Sequence, residues 1–215
     1  MSRWSVRVLA PAAALHLLSV TLSAQLASRP AEEWVKTLET PERLAGMRID
    51  DVVAAMKLRP GEVVADLGAG SGPFVVPFAR AVTPQGKVYA VEIDKGFLPL
   101  IDRKAKDAGV ANVQTVLGEF TDPRIPAADV DVAFVHVVLH HVENRAAYLK
   151  SLTRYLKPTA RIVVIDYHPA QSPHADQPQL QVAKEQASAW LAQAGFKPVE
   201  EVSLFADKWF VVYRR

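Results

Sequence analysis

The 215 residues suffice for one domain with a buried core, and a composition half hydrophobic and 22% charged is that of an ordinary globular chain. A formal net charge of +2, with no run of lysine and arginine, excludes the basic stripe that tracks a nucleic-acid backbone. The absence of cysteine excludes disulfides, thiolate metal ligands and every cysteine nucleophile, and it suits an oxidising compartment.

Residues 1–27 differ from the rest. Arg3 and Arg7 precede an apolar run over residues 8–22, and the first acidic residue is Glu32. A basic start and an apolar stretch of about 7–15 residues describe a secretory signal peptide. Thr21, Ser23, Ala24 and Ala27 are small enough to flank a cleavage site. The run is short for a membrane span of ~20 apolar residues, and Pro11 and His16 weaken it. The expectation is export, periplasmic or secreted, with a membrane anchor or an organellar presequence as alternatives.

Residues 28–60 read as an N-terminal helical cap. Trp34, Val35 and Leu38 make one helical stripe over 31–40, and Leu44, Met47, Val52, Val53 and Met56 another over 41–56. Arg59-Pro60-Gly61 breaks the chain before a main domain at 61–215. There strand-like and helix-like segments alternate. Strands are predicted at 62–67, 87–93, 113–117, 130–135, 161–167, 197–204 and 209–213. Helices are predicted at 74–82, with Pro77 expected to kink it, and at 97–108, 144–156 and 180–194, leaving 169–178 as a surface loop. Strands such as Ile162-Val163-Val164-Ile165 are apolar throughout, so both faces of a parallel sheet are covered. Residues 205–208 alone separate the last two strands, which predicts an antiparallel hairpin at one edge. The fold class is therefore α/β: a three-layer, doubly wound sheet of seven strands, mostly parallel, with an antiparallel last strand and helices on both faces.

The informative turn is Val63-Val64-Ala65-Asp66-Leu67-Gly68-Ala69-Gly70-Ser71-Gly72. A strand runs into Gly68, Gly70 and Gly72, where bare backbone can turn sharply and admit a ligand closely. Dinucleotide enzymes favour G-x-G-x-x-G with a pyrophosphate on the following helix. Here the spacing is G-x-G-x-G, and Asp66 would repel a pyrophosphate while suiting an ammonium group. Glu92 closes the second strand, where a carboxylate accepts ribose hydroxyls. Glu119 can accept from an adenine amino group, the Phe120 amide can meet the ring, and Ile93 and Phe120 offer apolar faces to the base.

With Val88-Tyr89-Ala90-Val91-Glu92-Ile93-Asp94, Leu117-Gly118-Glu119, Leu139-His140-His141-Val142 and the segment 156–166, this turn makes five motifs in order. Together they resemble the class I S-adenosylmethionine-dependent methyltransferases, nearest the small-molecule and quinone methyltransferase type. The resemblance implies S-adenosyl-L-methionine as cofactor. Asp66, Gly68, Gly70 and Gly72 would hold its methionine part, Glu92 its ribose, and Ile93, Glu119 and Phe120 its adenine, with His136 in the same cofactor-binding set. Glu119 replaces a more usual aspartate, Thr159-Ala160 a common Gly-Gly, and Pro73 removes an amide at the start of the helix.

His140 and His141 are candidate proton acceptors at the transfer site. Their pattern occurs with unrelated acceptors, which favours a structural or cofactor-shell role. No metal is expected, because His136 with Asp166 falls short of a set of hard oxygen ligands. His168 and His174 read as loop residues, and Trp34, Trp190 and Trp209 as packing residues or part of an acceptor pocket. The Asn-Pro-Pro-Tyr type of segment that serves amino-group methylation is absent, since His136-Val137-Val138-Leu139 stands there. The expected function is in-line methyl transfer to a small, lipophilic acceptor. The alternatives are a non-catalytic protein binding the same cofactor or its product, and an NAD(P)-dependent oxidoreductase.

Overall fold

The structure is a computed structural model that describes residues 30–215; the leader at 1–27 lies outside the described residues. Among the described residues three short helices come first: α1 (Ala31–Leu38), α2 (Pro41–Met47) and α3 (Ile49–Met56). Thr40 caps α2 by accepting from the Arg43 amide at 3.3 Å, and Pro41 takes the first-turn position that needs no amide. The single helix predicted over 41–56 is broken at Arg48, whose φ of 49° is left-handed. Its guanidinium donates to the Leu204 carbonyl at 2.6 Å and pairs with Asp51 at 2.8 Å, which holds the break in place.

The alternating region follows as β1 (Val63–Leu67), α4 (Val75–Val82), β2 (Lys87–Glu92), α5 (Leu98–Asp107), β3 (Val113–Leu117), β4 (Val130–His136), α6 (Arg145–Leu152), β5 (Leu156–Tyr167), α7 (Lys184–Gln193), β6 (Lys197–Glu201) and β7 (Lys208–Arg214). Pro77 falls in the first turn of α4, where its missing amide breaks no intrahelical bond. Asn144 caps α6 through the Ala147 amide, as predicted, but a 3₁₀ turn at Thr153–Tyr155 ends that helix early. β5 starts before the predicted strand, with an irregular pairing to β4 that absorbs Pro158. The helix predicted over 180–194 begins only at Lys184. Leu180 and Val182 are both buried, so the chain between them is extended, and Gln186 accepts from the Ala183 amide to start α7.

The sheet has seven strands in the order β3-β2-β1-β4-β5-β7-β6. β1 to β5 are parallel, and β7 runs antiparallel to both β5 and β6. The predicted hairpin therefore forms the edge, with the exposed, proline-containing β6 outermost. Alternate residues serve two cores. Ala65, Leu67, Val91 and Val164 pack with Leu149, Leu152 and Leu191 of α6 and α7. Val64, Ala90, Phe134 and Ile165 pack with Val52, Phe78 and Ile101 on the other face. Full burial of each valine, leucine, isoleucine or phenylalanine among these contributes about 1.5–3 kcal/mol.

At the amino end of β1, buried Glu62 accepts from both terminal nitrogens of buried Arg161 on β5, at 2.7 and 3.0 Å. Burial pushes the Glu62 carboxyl up, but hydrogen bonds and charge from Arg161, with help from Arg59, hold it down at about 2. At the opposite end the strand order reverses between β1 and β4, the switch point where doubly wound sheets bind ligands.

Candidate functional site

A cleft of about 660 Å³ opens at that switch point. The carboxyl ends of β1, β2 and β4 form its floor, and Trp34, Leu38, Arg43 and Met47 from α1 and α2 roof it. Asp66, the penultimate residue of β1, is 3% exposed and lines the cleft. Its Oδ2 has no hydrogen-bond partner among the described residues. Burial, with the neighbouring Glu92 charge, pushes its carboxyl up to about 7.

The loop after β1 takes left-handed backbone at Gly68 (φ 71°), Gly70 (φ 55°) and Gly72 (φ 79°). A Cβ on Gly68 would stand 2.6 Å from the Val138 side chain, so this glycine lets the loops after β1 and β4 touch. A Cβ on Gly70 would meet only Leu38 at 4.0 Å; the backbone there faces open space in the cleft. Gly72 packs inward, with a Cβ 3.1 Å from Ile101, and does not line the cleft. Its expected ligand contact is therefore a packing role.

Glu92 ends β2 and does more than wait for a ligand. Its Oε2 accepts from the Gly70 amide at 2.7 Å, and its Oε1 from the amides of Ile93 and Asp94 at 2.7 and 3.0 Å. It ties the two loops together, and its lone pairs are not exhausted by three bonds. Burial raises its pKa against those hydrogen bonds. Ile93 and Phe120 line the same cleft, with Phe120 at its exposed rim. Glu119 also lines it, but the carboxylate is half exposed and paired with Arg124 at 2.6 Å. The expected carboxylate for adenine is thus engaged elsewhere, because the turn after β3 brings Arg124 back beside it through the Glu119–Asp122 bridge.

His136 ends β4 with its ring 5.0 Å from that of Phe74. Its Nε2 is buried without a hydrogen-bond partner among the described residues, and burial, with the charges of Lys208 and Arg43, lowers its pKa to about 3, so it is neutral. Val137 follows with φ at 56°, a strained value for a β-branched residue, pinned by its amide on the Ile165 carbonyl at 2.7 Å. His140 does not line the cleft. Its Nδ1 donates to Asp166 Oδ1 at 2.7 Å and its amide to Oδ2 at 3.3 Å, so it is an anchor. Asp166 is thereby committed to His140. His141 lines the cleft, its Nδ1 buried without a partner among the described residues. Burial, and after it His140, His174 and Arg145, lower it to about 3.

Several lining residues escaped sequence reasoning. His174 comes from the loop after β5 and stands against His140 and His141, with ring centroids 5.6 and 5.8 Å away. Lys208 pairs with Asp207 at 2.9 Å and lies over the Phe205 and Tyr167 rings at 4.6 and 4.9 Å. Only the register of β7 against β5, which sets Lys208 opposite Tyr167, brings it there, and no motif in the sequence carries that register. Of the tryptophans, Trp34 lines the cleft, while Trp209 is core and donates to the Val182 carbonyl at 3.2 Å. Trp190 packs at the edge of that core, beneath the Arg145 guanidinium.

Comparison with known proteins agrees with this geometry. Residues 65–164 match the methyltransferase domain family. The ubiquinone/menaquinone biosynthesis C-methyltransferase UbiE of Vibrio campbellii is 34% identical over 110 residues, covering 51% of this chain and 42% of that protein. The demethylmenaquinone methyltransferase of a Geobacillus species is 26% identical over 117 residues, covering 54% of this chain and 50% of its own. The chain thus spans about half the length of these relatives or less. Among solved structures, an S-adenosylmethionine-dependent methyltransferase from Aquifex aeolicus superposes with a TM-score of 0.76 at 24% identity, covering 84% of this chain and 96% of that one. The 1,6-didemethyltoxoflavin-N1-methyltransferase of Burkholderia thailandensis gives 0.66 at 22% identity, covering 97% and 93%. The fold is thus one shared with S-adenosylmethionine-dependent methyltransferases of known structure, and residues 65–164 match a methyltransferase domain in sequence.

Proposed function

We propose that the cleft binds S-adenosylmethionine and that the protein transfers its methyl group to a small, mainly apolar acceptor. The observation that carries this reading is the Asp66 oxygen, without a hydrogen-bond partner among the described residues and buried beside backbone that faces open space at Gly70. A buried carboxylate without a partner is costly, and a cationic ligand relieves that cost, whereas a pyrophosphate would worsen it. The residues fit the cofactor. Asp66 meets the cationic amino-acid end, the free lone pairs of Glu92 accept ribose hydroxyls, and Ile93 with Phe120 flank the base. Glu119 is a weaker partner for the adenine amino group, since it must leave Arg124 to reach it.

When bound, the cofactor supplies a sulfonium-activated methyl group. The chain's own task is to orient donor and acceptor in line and to exclude water between them. Trp34, Met47, Phe74 and Tyr167 give the acceptor side an apolar lining, and His136 adds a neutral imidazole. This supports an acceptor such as a quinol ring, the class that the relatives' names indicate. The basic, apolar leader further supports export, which N-terminal sequencing of the mature protein tests. The reaction itself is tested by incubating the purified protein with labelled S-adenosylmethionine and a panel of quinols, phenols and amines. Label in a quinol or phenol product supports the reading. Binding of the cofactor with no transfer to any acceptor in a cell extract would instead favour a non-catalytic binding protein.

A further inference from the structure

Three imidazoles meet at the wall of the cleft, His141 and His174 lining it and His140 behind them, and methyl transfer gives them no common task. His140 and His141 lie on the 3₁₀ turn Leu139–His141, and His174 comes from the loop after β5. One ring nitrogen from each lies within 4.8 Å of the other two. Three observations indicate that the cluster is built rather than accidental. Asp166 fixes His140 by accepting from its Nδ1, the carboxylate–histidine arrangement that orients metal-bound imidazoles and leaves Nε2 as the free lone pair. His141 Nδ1 is buried with no hydrogen-bond partner among the described residues. Arg145 clips the two supporting segments together, donating to the Leu139 and His140 carbonyls at 3.1 and 2.9 Å and to the Gln179 carbonyl at 2.7 Å.

We infer that His140, His141 and His174 form a binding site for a divalent transition metal, with Zn²⁺ the preferred ion. Imidazole nitrogens suit Zn²⁺, and three protein ligands with a fourth position open to the cleft is the arrangement of a reactive rather than a structural zinc site. Zn–N bonds of about 2.0–2.1 Å put ligand atoms about 3.4 Å apart, so closing on the ion needs contractions of no more than about 1.5 Å. The partly exposed loop bearing His174 can supply them. Two local hydrogen bonds keep His174 near the cluster: the Ser172 hydroxyl accepts from its amide at 3.0 Å and Gln181 donates to its carbonyl at 3.3 Å. His141 and His174 line the cleft, so the fourth position takes a water or an oxygen of whatever occupies the acceptor side. The expectation of no metal rested on His136 and Asp166; the cluster uses neither as a ligand, and Asp166 acts only as a positioning residue.

The test uses untagged full-length protein, stripped with a chelator, and reads metal content rather than turnover. Dialysis against Zn²⁺ alone should leave one equivalent per chain, and Co²⁺ substitution should give the visible absorption of a tetrahedral nitrogen-ligated ion. His174→Ala, on a surface loop, should weaken Zn²⁺ binding at least tenfold without changing the circular dichroism, and His168→Ala should leave it unchanged. Asp166→Asn should weaken it by about 10–100-fold. Wild-type protein that retains no stoichiometric Zn²⁺ would overturn the inference. So would His174→Ala protein that binds Zn²⁺ as tightly as wild type. Both outcomes are independent of whether the cleft binds S-adenosylmethionine.

Discussion

Asp66 has an ordinary carboxyl group in an environment that refuses its charge. With its pKa raised from 3.8 to about 7, the folded protein holds a proton that the unfolded chain has already lost across the window between those values. Its contribution to stability is therefore complete below about pH 4 and is lost as pH rises through about 7. Binding of the ammonium group of the ligand's amino-acid end favours the ionised form, so complex formation near pH 6 should release a proton. Calorimetry of S-adenosylhomocysteine binding in buffers of different ionisation enthalpy should detect this release in wild type and not in Asp66→Asn. Equal release in both would remove Asp66 from the site. The glycines make a second contrast. Gly68→Ala drives a Cβ into Val138 and should destabilise the fold by more than the ~1 kcal/mol expected of left-handed backbone alone. Gly70→Ala meets open space, so thermal melting should show the smaller loss, while ligand affinity falls at least tenfold because the new methyl occupies the cleft.

At the scale of elements, the alternation of strands and helices was readable because the central strands are largely apolar on both faces and the breaks before β4 carry glycine or proline. What escaped depends on partners distant in sequence. Arg48 breaks a helix because Leu204 offers it a carbonyl, and residues 181–183 stay extended because Leu180 and Val182, on either side of Gln181, are both buried. The site divided the same way. Asp66, the Gly68 and Gly70 backbone, and Glu92 were legible from one local pattern. The pairing of Glu119 with Arg124, the burial of His140 against Asp166 and the arrival of His174 are set by loop folding that no spacing encodes. The Glu62–Arg161 pair joining β1 to β5 is another such tie. Glu62→Gln should cost about 3–5 kcal/mol in denaturant unfolding, since it strands a buried guanidinium. Ligand affinity should be unchanged, because the pair sits at the far end of the sheet. The stabilisation that Glu62 gives is present above its ordinary pKa of 4.5 and lost as pH falls through about 2. Acid titration should therefore narrow the gap between variant and wild type.

For the molecule as a whole, seven strands and two helical layers converge on a single rim, where the strand order reverses and α1 and α2 close over the gap. The same fold frame serves dinucleotides in other proteins, so the choice of ligand rests on charge. A buried carboxyl group without a partner among the described residues and a second carboxylate on the next strand favour a nucleoside that bears an ammonium group over a pyrophosphate. Calorimetric titration of the full chain with S-adenosylhomocysteine and, separately, with NADH tests that choice most directly. One site per chain with micromolar affinity for S-adenosylhomocysteine, and no heat with NADH, is the expected result. Absence of S-adenosylhomocysteine binding, or NADH binding of equal strength, would contradict the account.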